Sequence, residues 1–512
     1  MSPASQKSRL FLGIASTFLS RIWNLVAIVA LSPFYIHFLG ASGYAVISLA
    51  AVILAIMSFL DSGLTPLAMR EMADDRKTLQ QRGSTLFHFE LIYAGIALTV
   101  CLAFLVLVYG AGSGVLGKDA IVAIKPLWPL VCIDVVGQMI VRFYVGCLQG
   151  FDRHIGTNLV LLMNGICRGA LVIPLLLLSP SLNTFFGWQA LVSLAFMWLY
   201  RKFAHSALGA SAPRNRISLP ELRSILAAAM ALSLVGIAAV LFGQLDKLVF
   251  VRTNSLVDFA AYSFAASLAA MLPSLALVLF SIFLSKYVRH RSDPSIFNRL
   301  YASTFSSVAI LSSVLAAQLI CYSESIHQAV FHASSVTGNA RTFAAILAIG
   351  GFFSSLTVVP YAVSIVDRDF FLQGKLLVVT FLMAAAVFPL MHHFAGAYWI
   401  PIAYVSLQVQ FSILYVVVAS RRCVGNSMIA RCLGLSLVVL TTSIGFTIGI
   451  RQLVESQALL ENHEATILLA LVSGATCFLI SAIIGMLGYR VFFKSSLIGD
   501  LASFSEVKAV AT

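Results

Sequence analysis

The sequence predicts an all-α protein that crosses a membrane about fourteen times. The 512 residues are 60% hydrophobic and only 10% charged, whereas soluble domains carry about 25% charged residues. Apolar windows of about 20 residues, long enough to span a bilayer as helices, recur along the whole chain. The loops between these windows are short, and basic loops alternate with loops that hold few Lys or Arg residues.

The apolar windows define fourteen candidate helices, which are joined by short connections. In chain order they lie at about 12–38, 43–62, 85–110, 121–149, 156–179, 182–201, 222–251, 257–285, 301–322, 342–365, 371–391, 396–420, 431–451 and 465–489. No window is interrupted by a soluble domain.

The distribution of charge predicts the orientation of these helices. Most of the 33 Lys and Arg residues lie in every second loop, for example the loop at 70–82. The opposite loops hold few basic residues and carry Glu324, Glu455, Glu461 and Glu464. Because Lys and Arg favour the cytoplasmic side, both termini are predicted to be cytoplasmic. An odd number of spans would destroy the alternation.

A weak internal repeat predicts how the helices are grouped. The turn before Tyr44 and the turn before Tyr262 both lead into spans rich in Ala, Ser and Leu, and they are about six helices apart. The repeat predicts an N-terminal lobe at 1–215 and a C-terminal lobe at 216–425, related as a parallel pseudo-repeat. Residues 426–512 would add helices 13 and 14 and a cytoplasmic tail.

Four basic residues lie inside the apolar windows: Arg21, Arg142, Arg168 and Lys247. A cation at the centre of a bilayer costs about 2.5–3.5 kcal/mol on insertion scales, so such a residue faces protein or water. Several of them together predict a water-filled, positively charged cavity. An anionic substrate fits such a cavity.

Polar residues four apart share one face of a helix. Asp134, Gln138 and Arg142 meet this condition on helix 4, and Asn164 and Arg168 meet it on helix 5. Three further helices carry polar residues inside the membrane, namely Arg21 and Asn24, Asp246 and Lys247, and Tyr404 and Gln408. All of these side chains are candidates for the wall of the cavity.

Structural roles remain open for the charged members of this set. Arg21 and Arg168 could form buried salt bridges with Asp134 or Asp61. Arg142 could extend toward the cytoplasmic surface, and Asp246 and Lys247 could pair locally near an outer helix end.

The sequence lacks the motifs of several enzyme classes. It contains no HExxH, no GxxxxGK[ST] and no GxSxG, so we predict no catalytic residues, no metal site and no cofactor. The net charge of +13 lies in short loops without interleaved aromatic residues, which argues against a nucleic-acid partner. A membrane-bound glycan polymerase or ligase is a less favoured alternative, because the longest outer loop, at about 323–341, is short.

Several segments resemble the signature of bacterial polysaccharide flippases. These segments are SPFYIHFLG at 32–40, DSGL at 61–64, RE at 70–71 and GCLQGFDR at 146–153. The family comprises the Wzx-type O-antigen and exopolysaccharide translocases of the multidrug/oligosaccharidyl-lipid/polysaccharide (MOP) exporter superfamily. Chain length, number of spans and the repeat extend the resemblance to nearly the whole chain.

The resemblance implies two six-helix lobes around a cationic cavity in the bacterial inner membrane. It also implies a substrate of the undecaprenyl-pyrophosphate-oligosaccharide type, moved from the cytoplasmic to the periplasmic leaflet by alternating access. The resemblance also implies membrane lipid as a partner, with a polysaccharide polymerase and a chain-length regulator as candidate partners. Drug-exporting relatives commonly carry an acidic residue in helix 1, where this chain has Arg21. A multidrug or cation antiporter and a lipid II flippase remain alternatives.

On this interpretation the pyrophosphate pairs with Arg21 and Arg168, with help from Arg142 and Lys247, because guanidinium groups bind phosphate oxygens in pairs. The sugars contact a second set of residues, Asn24, Gln138, Asn164, Tyr404 and Gln408. Asp134 or Asp246 is the candidate for proton coupling.

Overall fold

The structure is a computed structural model. It describes residues 3–57, 61, 63–74, 76–110, 112–151, 153–208, 218–291, 293–331, 339–366, 371–391, 398–455, 463–493, 495–497 and 500. Helices account for nearly all of these residues, and the described part of the chain contains no strand. The all-α fold class predicted from the sequence is therefore confirmed.

The helices follow one another with short connections. They are α1 Pro3–Met57, α2 Leu64–Ala73, α3 Leu79–Tyr109, α4 Gly112–Leu116, α5 Lys118–Ile124, α6 Trp128–Gly150, α7 His154–Gly169, α8 Val172–Leu178, α9 Leu182–Leu208, α10 Leu219–Thr253, α11 Leu256–Arg289, α12 Pro294–Phe331, α13 Asn339–Leu356, α14 Val358–Val366, α15 Phe371–Met391, α16 Trp399–Ser420, α17 Asn426–Glu455 and α18 His463–Phe493.

These helices match the fourteen predicted spans. The range of α1 contains two spans, because Gly40 adopts a left-handed φ of 73° that only glycine takes without strain. Conversely, α5 and α6, α7 and α8, and α13 and α14 each form one span. Among the described residues, twelve helices are long and apolar enough to cross a membrane. The protein is a multi-pass membrane protein.

Proline explains the three interrupted spans. A proline nitrogen carries no hydrogen and cannot donate to the carbonyl four residues earlier. Pro174 and Pro360 lie just after the breaks between α7 and α8 and between α13 and α14. Pro126 lies within the short 3-10 turn Lys125–Leu127 between α5 and α6, and Pro129 follows at the start of α6.

The described contacts divide the chain into two compact units, Met1–Ala260 and Ala261–Thr512. In the first unit, α6 packs against α2 and α9, while α1 packs along α7. The aromatic core of this unit includes Phe89, Tyr93, Phe143 and Tyr200. Helix α10 also packs within the first unit, on α1 and on the α2–α5 region. The division at 215 and 425 inferred from the repeat stays a prediction.

The second unit is built around α12. This helix packs against α13, α17 and α18, and α16 packs against α13 and α15. Its core includes the fully buried side chains Tyr287, Tyr301 and Tyr489. The last two helices, α17 and α18, thus pack directly on the central helix of the second unit.

Close packing of α6 on α9 requires a glycine at position 137. A Cβ atom there would lie 2.8 Å from the Cβ atom of Ser193. We expect Gly137→Leu to lower the free energy of unfolding by about 1–3 kcal/mol, the usual cost of an overpacked helix contact. Thermal unfolding in detergent measures the loss. Gly95→Leu is the matched control, since a Cβ at Gly95 meets no atom within 4 Å, and equal loss in both variants would contradict this account.

Candidate functional site

A cavity of about 590 Å³ lies inside the first unit, among α1, α6, α7 and α9. Five of the predicted site residues line it together, namely Asp134, Gln138, Arg142, Asn164 and Arg168. The remaining wall is mainly apolar, with an aromatic part formed by Tyr35, Phe185 and Phe186. The polar residues spaced four apart on predicted helices 4 and 5 thus line one shared cavity.

The break between α7 and α8 fixes the position of Arg168. Because the helix stops at Gly169, the carbonyl groups of its last turn have no partner within the helix, and in a membrane they must find another donor. The Trp188 indole donates to the Cys167 carbonyl and the Gln189 amide donates to the Arg168 carbonyl, at 2.8 and 2.9 Å. The Tyr35 hydroxyl donates to the Gly169 carbonyl at 2.8 Å. Three side chains from α1 and α9 therefore hold the backbone that carries Arg168.

The Arg168 guanidinium forms a two-pronged ion pair with Asp134. Its Nη1 and Nη2 atoms lie 2.5 and 3.0 Å from Oδ1 and Oδ2 of the carboxylate. The side chains are 21% and 11% exposed, so the pair is largely shielded from water. This pairing is the structural alternative that the sequence left open for Arg168, and the same residue also lines the cavity.

Ser193 of α9 completes the ion pair. Its hydroxyl donates to Asp134 Oδ1 at 2.5 Å and accepts a hydrogen bond from Arg168 Nη1 at 2.6 Å. The Gln138 amide donates to the same hydroxyl oxygen at 2.9 Å. A buried ion pair repays its desolvation only when such extra hydrogen bonds saturate its atoms. The network therefore holds Arg168 and Asp134 in one geometry.

Arg142 lies in the same cavity but differs from Arg168 in its partners. Within the described part of the chain, its guanidinium forms no hydrogen bond and no ion pair, although Asp61 and Arg168 lie within electrostatic range. A guanidinium carries five N–H donors, and these remain available to a bound molecule. Arg168 is neutralised by Asp134, whereas Arg142 has no direct ion pair in the described part of the chain and supplies the available positive charge of the cavity.

The cavity also offers a hydrogen-bond acceptor. Asn164 is 5% exposed, and its Oδ1 atom has no hydrogen-bond partner among the described residues. In the wall of the same cavity, the Tyr35 and Phe185 rings pack edge to face with centroids 5.3 Å apart. A cation, an amide acceptor and an aromatic wall together suit a ligand that joins an anionic group to hydroxyl-bearing groups.

The other predicted site residues lie elsewhere or outside the described residues. Lys247 on α10 donates to Gln244 at 3.1 Å, and it does not belong to the cavity wall; the adjacent Asp246 is buried. Tyr404 and Gln408 lie on α16 of the second unit. The side chains of Arg21 and Asn24 are outside the described residues.

Sequence reasoning missed Ser193, Gln189 and Tyr35. Gln189 and Ser193 are four apart on α9, so the rule that identified the faces of helices 4 and 5 would have selected them. Tyr35 falls on the polar face of helix 1 that includes Arg21 and Asn24, but it was not selected as a site residue. The Tyr35 hydroxyl contacts α7 because the helix ends at Gly169 and leaves the carbonyl of that residue free to accept a hydrogen bond. This contact could not be predicted from the sequence of α1 alone.

A family model described as polysaccharide biosynthesis protein matches residues 10–284, more than half of the chain. The chain belongs to this family. The matched segment begins within α1 and extends past α9, so it contains every residue that lines the cavity. No curated protein sequence matches the chain.

Solved structures with the same fold are found among MOP-type transporters. The lipid II flippase MurJ in an inward closed conformation gives a TM-score of 0.67 at 14% identity, covering 94% of this chain and 100% of MurJ. An inward-facing multidrug resistance MATE family transporter of the MOP superfamily gives 0.59 at 13% identity, covering 81% and 98%. The Vibrio cholerae MATE transporter VcmN in its bent form gives 0.51 at 12% identity, covering 82% and 97%. The resemblance to the polysaccharide flippases of this superfamily, inferred from sequence, is confirmed at the level of family and fold.

Proposed function

We propose that this member of the polysaccharide biosynthesis family is a flippase for an undecaprenyl-pyrophosphate-linked oligosaccharide. It carries the headgroup from the cytoplasmic to the periplasmic leaflet of a bacterial inner membrane by alternating access. The glycan is destined for an O-antigen, another lipopolysaccharide component or an exopolysaccharide. A polysaccharide polymerase and a chain-length regulator are candidate partners, and no catalytic role is proposed for any residue.

The observation that carries this proposal is an Arg142 without a direct ion pair, among the described residues, in a membrane-embedded cavity. An unpaired cation inside a membrane protein is costly, so its retention indicates a function that needs an anion there. A pyrophosphate supplies that anion and accepts the paired N–H groups of a guanidinium. Asn164, Gln138 and the aromatic wall are proposed to contact the sugars, while the polyprenyl tail stays in lipid.

Two alternatives from the same superfamily differ in their substrate. MurJ is a lipid II flippase, and its similarity in fold makes lipid II the closest competing substrate for this chain. The MATE structures belong to multidrug transporters, but the positive charge of Arg142 in the cavity would repel an organic cation. The charge of the cavity therefore favours the lipid-linked substrates over drugs.

Translocation in liposomes separates these possibilities. Purified protein is reconstituted with a fluorescent undecaprenyl-pyrophosphate-linked oligosaccharide, with fluorescent lipid II, or with the cation ethidium. We expect the oligosaccharide lipid to cross the bilayer faster than in empty liposomes and ethidium to remain where it was added. Faster movement of lipid II would favour the alternative flippase function, and ethidium transport without lipid movement would contradict the proposal.

The orientation of the helices is a separate prediction from the charged loops. Reporter fusions after Arg82, Lys202 and Arg422 should report a cytoplasmic location, because the neighbouring loops are rich in basic residues. Fusions after Tyr109 and Glu455 should report the periplasm. A cytoplasmic signal at Glu455 would mean that the last two helices run opposite to the predicted direction.

A further inference from the structure

A second carboxyl group lies close to the cavity but takes no part in its ion pair. Asp61 is in the break between α1 and α2 and is 5% exposed. Its Oδ1 atom accepts hydrogen bonds from Thr65 Oγ1, at 2.6 Å, and from the Tyr93 hydroxyl. These two hydroxyl groups are themselves 3.2 Å apart. In the described part of the chain, Asp61 has only neutral hydrogen-bond partners.

The charged group that acts on Asp61 in the described part of the chain is Arg142 of the cavity. The other ionisable groups that face it are Tyr93 from α3 and Cys147 from α6, and α2 contributes the neutral Thr65. Arg142 favours the ionised form of Asp61 through space, without a direct ion pair. Burial of Asp61 opposes this effect and favours its neutral form, so an anion bound at Arg142 would act in the same direction as burial.

We propose that Asp61 is a proton-binding site linked to the anion site at Arg142, so that the first unit takes up an anionic headgroup and one proton together. This inference rests on the proposed function, in which Arg142 receives a pyrophosphate. An anion at Arg142 cancels the positive field that stabilises the Asp61 carboxylate and adds a negative charge nearby. Both effects favour binding of a proton from water, which converts the carboxylate to a neutral carboxyl group.

Linkage requires the reverse effect as well. A proton on Asp61 must tighten anion binding by the same factor by which the anion tightens proton binding. A shift of about one pKa unit in such a coupled group corresponds to about a tenfold change in affinity. The anion site is therefore expected to be stronger at low pH, relative to a variant whose residue 61 cannot ionise.

The experiment measures the affinity of the full-length protein in lipid nanodiscs for farnesyl pyrophosphate between pH 5 and pH 8. The wild type is compared with Asp61→Asn at each pH. Because the pyrophosphate of the probe titrates equally in both measurements, a difference between the two affinities reports on residue 61. At pH 8 we expect Asp61→Asn to bind about tenfold more tightly than the wild type, and at pH 5 we expect equal affinities. Calorimetry in two buffers of different ionisation enthalpy should detect proton uptake on binding in the wild type and less in Asp61→Asn.

Asp74→Asn is the matched control. Asp74 is a carboxyl in the turn between α2 and α3, and the Arg76 side chain lowers its pKa to about 2, so it stays ionised throughout the tested range. Its variant should reproduce the wild-type profile. Thr65→Val and Tyr93→Phe keep the carboxyl and remove one donor that stabilises its charge, so the affinity change should move to higher pH in both.

The outcomes separate the two proposals. One outcome would overturn the proton site alone. In that outcome Arg142→Ala loses probe binding, while the pH profile of binding is the same in the wild type, Asp61→Asn, Thr65→Val and Tyr93→Phe. Probe binding that is unaffected by Arg142→Ala would overturn the anion site and, with it, the inference built on that site. If Asp61→Asn does not fold, the two hydroxyl variants decide, and unchanged profiles in both overturn the proton site.

Discussion

Replacing Arg142 with alanine is expected to lower translocation of the lipid-linked oligosaccharide by about thirtyfold or more. Loss of a charge-assisted hydrogen-bonding partner costs about 2 kcal/mol, which corresponds to that factor in affinity. The fold should survive, because the guanidinium makes no hydrogen bond or ion pair in the described part of the chain. We expect a change of about 1 kcal/mol or less in the free energy of unfolding.

The measurement is the initial rate of lipid translocation in liposomes, normalised to the amount of inserted protein. Arg142→Lys should retain partial rate, since it keeps the charge but loses the paired donors. Arg153→Ala is the matched control, because Arg153 is an exposed arginine just beyond the end of the same helix. A normal rate for Arg142→Ala would remove this residue from the substrate site.

Removing either partner of the Arg168–Asp134 pair is expected to destabilise the protein strongly. Each single substitution, Arg168→Ala or Asp134→Ala, leaves a buried charge without its counter-ion, at a cost of about 3–5 kcal/mol. The double variant Arg168→Met with Asp134→Leu removes both charges and should recover much of the stability. Thermal unfolding of the purified variants in detergent measures these differences.

Comparing the stability of the Arg168 and Arg142 variants distinguishes a structural role from a functional role at the cavity. A loss of stability in Arg168→Ala with little loss in Arg142→Ala would agree with one paired and one available arginine. If Arg168→Ala were as stable as the wild type, the ion pair would contribute little to the fold. Equal destabilisation by Arg142→Ala would mean that this arginine also has a structural partner.

The sequence predicted the helices and part of the cavity for simple physical reasons. A bilayer of fixed thickness requires apolar windows of a fixed length, so the spans can be read directly. The 3.6-residue turn places Asp134, Gln138 and Arg142 on one face, and they do line one cavity with Asn164 and Arg168. Neither inference requires knowledge of how the helices pack.

The different roles of Arg142 and Arg168 could not be predicted in this way. Arg168 was expected, together with Arg21, to pair with the pyrophosphate, yet the pairing of its guanidinium depends on the distance and rotation of α6 relative to α7. Ser193 reaches the pair because Gly137 allows α9 to approach α6, which is a contact between distant segments. Lys247 is also a basic residue inside an apolar window, but its helix places it beside Gln244 and outside the cavity wall.

Native mass spectrometry of the full-length protein with an undecaprenyl-pyrophosphate-linked oligosaccharide tests the central claim most directly. We predict that the wild type binds one molecule of this lipid, that neutral undecaprenol does not compete, and that Arg142→Ala loses most of the bound population while Arg153→Ala retains it. Equal binding by Arg142→Ala, or full displacement by undecaprenol, would contradict recognition of a pyrophosphate in the cavity of the first unit.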